Sequence, residues 1–156
     1  MSRVTLGLGT VVAAMLLASA GFGAEQRFSA ALVGTEEVPA VATAATGDVS
    51  VTVSSDGETL HYRLQVEKLE NIRVAHIHRG MQGANGPPVV FLFSGPKKPG
   101  MFSGVLAEGT ITARELSGEF AGKTLDELLQ LITTGNAYVN VHTDAHPGGE
   151  IRGQLR

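Results

Sequence analysis

Val49-Ser50-Val51-Thr52-Val53-Ser54-Ser55-Asp56-Gly57-Glu58-Thr59-Leu60-His61-Tyr62-Arg63-Leu64-Gln65-Val66 is the stretch that decides the fold class. Val49, Val51 and Val53 alternate with Ser50 and Thr52, and Leu60, Tyr62, Leu64 and Val66 alternate with His61, Arg63 and Gln65. A period of two puts each apolar set on one face of a strand. Asp56-Gly57 between the two runs is a strong hairpin signal, because a tight turn needs residues that accept positive φ. The stretch reads as two antiparallel strands with one face turned to a core and the other to water.

Working outward, the same pattern recurs on both sides. Phe28, Ala30 and Leu32 alternate with small or polar neighbours up to Gly34, residues 72–78 form a fourth run and residues 105–113 a sixth. Val89-Val90-Phe91-Leu92-Phe93 is continuously apolar, as a centrally buried strand requires. Residues 137–142 and 150–155 close the series. One segment breaks the period: Leu125, Leu128, Leu129 and Ile132 fall at i, i+3, i+4 and i+7, the spacing of one helix face. Thr124 and Glu127 make a capping box at its start, and Gly135 suits a left-handed end. Eight short strands and one helix predict an all-β domain, a Greek-key sandwich or flattened barrel with one short crossover helix.

Composition narrows what such a domain does. The chain has 156 residues, with 12 Lys and Arg against 15 Asp and Glu, a formal net charge of -3. That leaves no basic face to neutralise a run of phosphates, so no nucleic-acid partner is expected. With no cysteine, disulfides, thiolate zinc sites, iron-sulfur ligation and a thiol nucleophile are all excluded. Five per cent aromatic residues and no Trp argue against a stacking platform for sugars or single strands. No nucleophile elbow surrounds any serine, and no Gly-rich loop leads into a helix as phosphate binding requires.

The first residues carry an address. Arg3 is the one charge before Glu25, and Val11-Val12-Ala13-Ala14-Met15-Leu16-Leu17-Ala18 is a dense apolar centre followed by small residues. This is the layout of a secretory signal peptide, assigned to residues 1–23 with cleavage somewhere between 20 and 24, and it leaves residues 24–156 as the domain. The expectation is an exported protein, periplasmic or secreted, with no membrane span once the peptide is removed. The alternative is a retained anchor over residues 4–24, which the diluting Gly7, Gly9, Thr5 and Thr10 disfavour.

The histidines carry the chemical argument. Four of the five lie in two compact segments, Ala75-His76-Ile77-His78-Arg79-Gly80 and Asn140-Val141-His142-Thr143-Asp144-Ala145-His146-Pro147. Side chains at i and i+2 of a strand share a face about 6.6 Å apart, so His76 and His78 can approach one ion from one side. If the later strand lies beside theirs, His142 completes a three-imidazole set, and His146 arrives from the turn as a fourth ligand or a gate. Neutral imidazoles suit copper or zinc. Asn140, two residues before His142, is placed to orient a ring. Met81 and Met101, in Gly-flanked stretches read as loops, could add a thioether. Against this stands the bland alternative of solvated or hydrogen-bonded histidines, which His61 among Arg63 and Gln65 exemplifies. Glu36 and Glu37 offer Arg152 an acidic partner, read as a structural salt bridge. Imidazole ligation competes with protons near pH 6.5, so metal retention should weaken below about pH 5.5.

Several motifs together resemble the chordin-type (CHRD) domain. They are Phe28-Ser29-Ala30-Ala31-Leu32 with Gly34 and Glu37-Val38-Pro39, Ala75-His76-Ile77-His78 with Gly80, Gly83 and Asn85-Gly86-Pro87, and Tyr138-Val139-Asn140-Val141-His142-Thr143 leading to Gly149-Glu150-Ile151-Arg152-Gly153-Gln154-Leu155. The resemblance implies an immunoglobulin-like β-barrel distantly related to copper/zinc superoxide dismutase. It implies little about activity: the growth-factor antagonism of chordin does not carry over to a chain without its cysteine-rich modules. By the same likeness His76 and His78 correspond in kind to paired copper ligands on a strand of the dismutase. That enzyme also needs a bridging histidine, a zinc-binding aspartate loop and a disulfide, and the last is impossible here. The leading expectation is therefore an exported, non-enzymatic β-sandwich that binds copper or zinc through His76, His78, His142 and His146. A structural or adhesion module without metal is the main alternative, and a dismutase-like enzyme a minor one.

Overall fold

The computed structural model describes residues 25–156, so the expected signal peptide lies outside the described residues. Seven strands and one α-helix follow in the order β1 (Arg27–Val33), β2 (Thr46–Val53), β3 (Leu60–Arg79), β4 (Pro88–Phe93), β5 (Lys98–Ile111), α1 (Leu125–Thr133), β6 (Ala137–Thr143) and β7 (Ile151–Gln154). The hairpin forms as its sequence requires: Val53 pairs with Leu60 across the turn, and Gly57 takes φ 75°. Helix α1 begins at Thr124 with the reciprocal capping box to Glu127 and buries Leu125, Leu128 and Ile132.

All pairings are antiparallel, and five strands close a barrel in the order β2-β1-β7-β6-β3, with β2 pairing β3 to complete the ring. β4 and β5 are outer strands that pair with β3. The fold is thus the flattened-barrel form of the expected all-β architecture. Leu32, Val51, Leu64, Ile77, Val139, Val141 and Ile151 fill its interior with essentially no exposure.

Two of the expected boundaries change. The runs read as a third and a fourth strand are one 20-residue strand, β3, whose register shifts where Lys68 and Asn71 adopt positive φ of 57° and 54°. These irregularities let β3 bend while its ladder continues, so the described residues hold seven strands where eight were expected. Along one edge β3 meets β5 and then β4; along the other it meets β2 as far as Glu67 and β6 from Ile72. β5 also begins earlier than expected, and Met101, read as a loop residue, sits in it opposite Glu70. No helix among the described residues is long and apolar enough to cross a membrane.

Candidate metal centre

β6 is buried along its whole length, on both faces. Its inner residues Val139 and Val141 belong to the barrel core, so by alternation Tyr138, Asn140 and His142 point outward. On β3 the inner residues are Ala75 and Ile77, and the outward ones are His76 and His78. The register places His76 opposite Asn140, His78 opposite Tyr138 and His142 opposite Val74, which brings the three imidazoles onto one patch of the outer face. Loops cover that patch: residues 80–87 by way of Gly86, and the 144–149 turn by way of Pro147.

One ligating atom from each of His76, His78 and His142 lies within 4.8 Å of the others. His76 Nδ1 stands 3.2 Å from His142 Nε2. The rings of His76 and His78 meet edge to face at 5.2 Å, and those of His76 and His142 at 5.0 Å. The backbone fixes two tautomers. His142 Nδ1–H donates to the Pro147 carbonyl at 2.9 Å and His78 Nδ1–H to the Gly86 carbonyl at 2.8 Å, since a carbonyl can only accept. Both Nε2 atoms therefore carry lone pairs, and that of His78 is buried without a partner among the described residues.

The donor set could hold a metal ion. Ligating histidines ordinarily donate their other ring N–H to a carbonyl or carboxylate, as His78 and His142 do. Two nitrogens bound at 2.0 to 2.1 Å to a tetrahedral ion stand about 3.3 Å apart, close to the His76–His142 separation. Burial pushes the His76 imidazolium down to about 4, helped by repulsion from His142 and His78. Burial lowers His78 and His142 as well, against the opposing pull of their carbonyl partners. Burial thus favours the neutral form of all three rings, the form a metal requires.

Around the histidines lies a polar layer that the sequence only hinted at. Tyr138 stacks on His78 at 4.9 Å, and the Arg152 guanidinium lies 3.5 Å from the other partner in that column, the Tyr138 ring. Arg152 is 1% exposed and donates to Asn85 Oδ1, to the Met81 carbonyl and to the Ala84 carbonyl. The expected salt bridge with Glu37 gives way to these contacts: Glu37 feels the Arg152 charge without a direct ion pair. Burial raises the Glu37 carboxyl to about 7, against the pull of Arg152 and of Asn140. Asn140 is near enough to bias both Glu37 and His78. Even so, Glu37 Oε1 and Asn140 Oδ1, like His78 Nε2, have no hydrogen-bond partner among the described residues. A carboxylate in a Glu-Val-Pro turn gives no spacing signal toward histidines so far along the chain, so nothing in the sequence links Glu37 to them.

His146 stands outside the three-histidine group. It is half-buried in the turn after β6, where its backbone N–H donates to Thr143 Oγ1 at 3.2 Å and its carbonyl accepts from the Gly149 N–H. Met81 and Met101 are both largely exposed, and His61 lies exposed on the water-facing side of β3.

A small antiparallel barrel with three converging histidines on a loop-covered outer face defines the class of protein. Among known families, the CHRD domain matches residues 28–155, essentially the whole described chain, and the protein belongs to that family. No curated protein and no solved structure matches it.

Proposed function

We propose that this is an exported, non-enzymatic metal-binding protein, periplasmic or secreted, that holds copper or zinc on His76, His78 and His142. The observation that carries the reading is the 3.2 Å approach of His76 Nδ1 to His142 Nε2, beside a buried His78 Nε2 that lacks a partner. A buried lone pair with no donor is unfavourable, and an ion shared by the three rings removes that penalty. The carbonyls of Gly86 and Pro147 hold His78 and His142 in the orientation a ligand needs. His76 takes part by giving up its Nδ1 proton to the other ring nitrogen. The bound ion would tie β3 to β6 and would serve storage, delivery or structural locking. The address read in residues 1–23 supports export.

The 3.2 Å contact also favours a second reading, in which His76 Nδ1–H simply donates to His142 Nε2 and fastens the two strands without metal. Calorimetric titration of Cu(II) and Zn(II) into residues 24–156 separates the two, run beside a variant with His76, His78 and His142 all changed to Ala. Binding of one ion per chain that disappears in the variant is the expected result. Absent or unchanged binding would leave the structural reading in place.

A further inference from the structure

His76, His78 and His142 are 8%, 7% and 9% exposed, so an ion has to reach them through the covering loops. One solvent-facing cleft of about 240 Å³ lies over this face, between the segment that begins at Glu37 and the turn after β6; Val41, His146, Pro147 and Gly149 line it with Glu37. Three observations connect the cleft with the histidine group. Pro147, in its wall, supplies the carbonyl to which His142 donates. Glu37 also lines it, and its Oε1 is buried with no partner among the described residues. Asn140, which meets Glu37 over Gly149 and stands opposite His76 in the β3–β6 register, leads from there toward the rings.

Gly149 keeps this connection open. Its φ of 125° favours glycine, and a Cβ at that position would stand 2.4 Å from Glu37 Oε1 and 2.6 Å from Asn140 Nδ2. Any larger residue would fill the gap in which these two groups meet. A buried carboxylate oxygen without a donor is costly unless something comes to it. A cation in passage meets that requirement, and the half-buried His146 adds an imidazole to the same cleft.

We propose that this cleft is the path by which a divalent metal ion reaches His76, His78 and His142, with Glu37 Oε1 and the His146 imidazole as transient ligands on the way. The proposal rests on the metal-binding reading above. A transient ligand stabilises the ion in transit and not in its final place. Its loss therefore slows loading and release together and leaves the equilibrium unchanged, whereas loss of a resident ligand raises Kd.

Stopped-flow mixing of Cu(II) with the protein tests this, using tyrosine fluorescence as the signal. The chain has two tyrosines and no tryptophan, and Tyr138 stacks on His78, so copper at the site quenches it. In Glu37→Gln and in His146→Ala, association and dissociation should each slow by about tenfold while Kd from calorimetry stays within about threefold. His146 lies in a half-buried turn, and its replacement tests the same path without altering the Glu37 carboxyl. Unchanged association rates in both variants would overturn the path, and so would a raised Kd at an unchanged association rate. A wild-type protein that binds no copper would overturn the metal reading along with it.

Discussion

The two halves of β3 carry the same inner face and opposite outer ones. From Leu60 to Val66 the strand alternates: Leu60, Leu64 and Val66 are buried, while His61 and Arg63 look outward toward water. From Ala75 to His78 every residue is buried, because loops lie over the outer side. The first half is an ordinary barrel wall with one wet face. In the second half, polar residues that would be solvated on any other strand are held dry, and there a neutral imidazole and an unpartnered lone pair can persist. The two arginines on outer faces show the same contrast. Arg63 makes an exposed ion pair with Glu108 at 3.1 Å, whereas Arg152 is enclosed and spends its donors on the loop that covers the site.

The largest effect that would sharpen this contrast is expected for Arg152→Ala. It removes the group that holds the Asn85 side chain and two loop carbonyls, leaving those three acceptors without their donor. Three hydrogen bonds from a charged donor and its packing on the Tyr138 ring are lost together, so a loss of about 3–5 kcal/mol in urea denaturation is expected. A loss below about 1 kcal/mol would mean that the loop over the site is not fastened by Arg152.

Truncation on the inner face should not distinguish the halves. Leu64→Ala and Ile77→Ala both empty a fully buried core position and should each cost about 2–5 kcal/mol. A much smaller cost at Ile77 would break the comparison, because it would show the site half to be loosely packed inside as well as out.

The titration of the covered half comes next. Glu37 is raised from 4.5 to about 7, so the folded protein holds its proton more tightly than the unfolded chain does. Its contribution is complete below about pH 4.5 and is lost as pH rises through about 7. Glu37→Gln imitates the protonated form at every pH, so it should match the wild type at pH 4 and exceed it by up to about 3 kcal/mol at pH 8. His76 runs the other way: lowered from 6.5 to about 4, it withdraws stability from the metal-free protein as pH falls through that window. The same shift moves proton competition for metal below the pH 5.5 that ordinary imidazoles suggest, and retention measured from pH 7.5 down to pH 4 checks it. The smallest effect belongs to the wet half. Arg63→Ala should change stability by no more than about 0.5 kcal/mol, since both partners of its ion pair are more than half exposed.

Much of this was legible from local pattern. The Asp56-Gly57 hairpin, the capping box of Thr124 and Glu127, the helical face of Leu125, Leu128 and Ile132, and the shared face of His76 and His78 all depend on residues a few positions apart. Period and turn chemistry act over that range, so the sequence carries them openly. The break between Val66 and Ile72 was misread for the same reason. Charged residues and an asparagine look like a turn, yet the chain bends through two positive-φ residues and keeps its ladder.

What the sequence by itself determined, then, is the all-β class, the family motifs and the pairing of His76 with His78 on one face. Tertiary structure alone decided which groups join them. The register of β3 against β6 brings His142 beside His76 and leaves His146 in the turn, outside the group. The closure of the barrel brings Glu37 and Arg152, more than a hundred residues apart, into the layer around the histidines. Local alternation follows from backbone sterics and needs no knowledge of the rest of the chain. Contacts across the barrel depend on which strands pair and which loops fold over them, and the packing of the whole domain decides both.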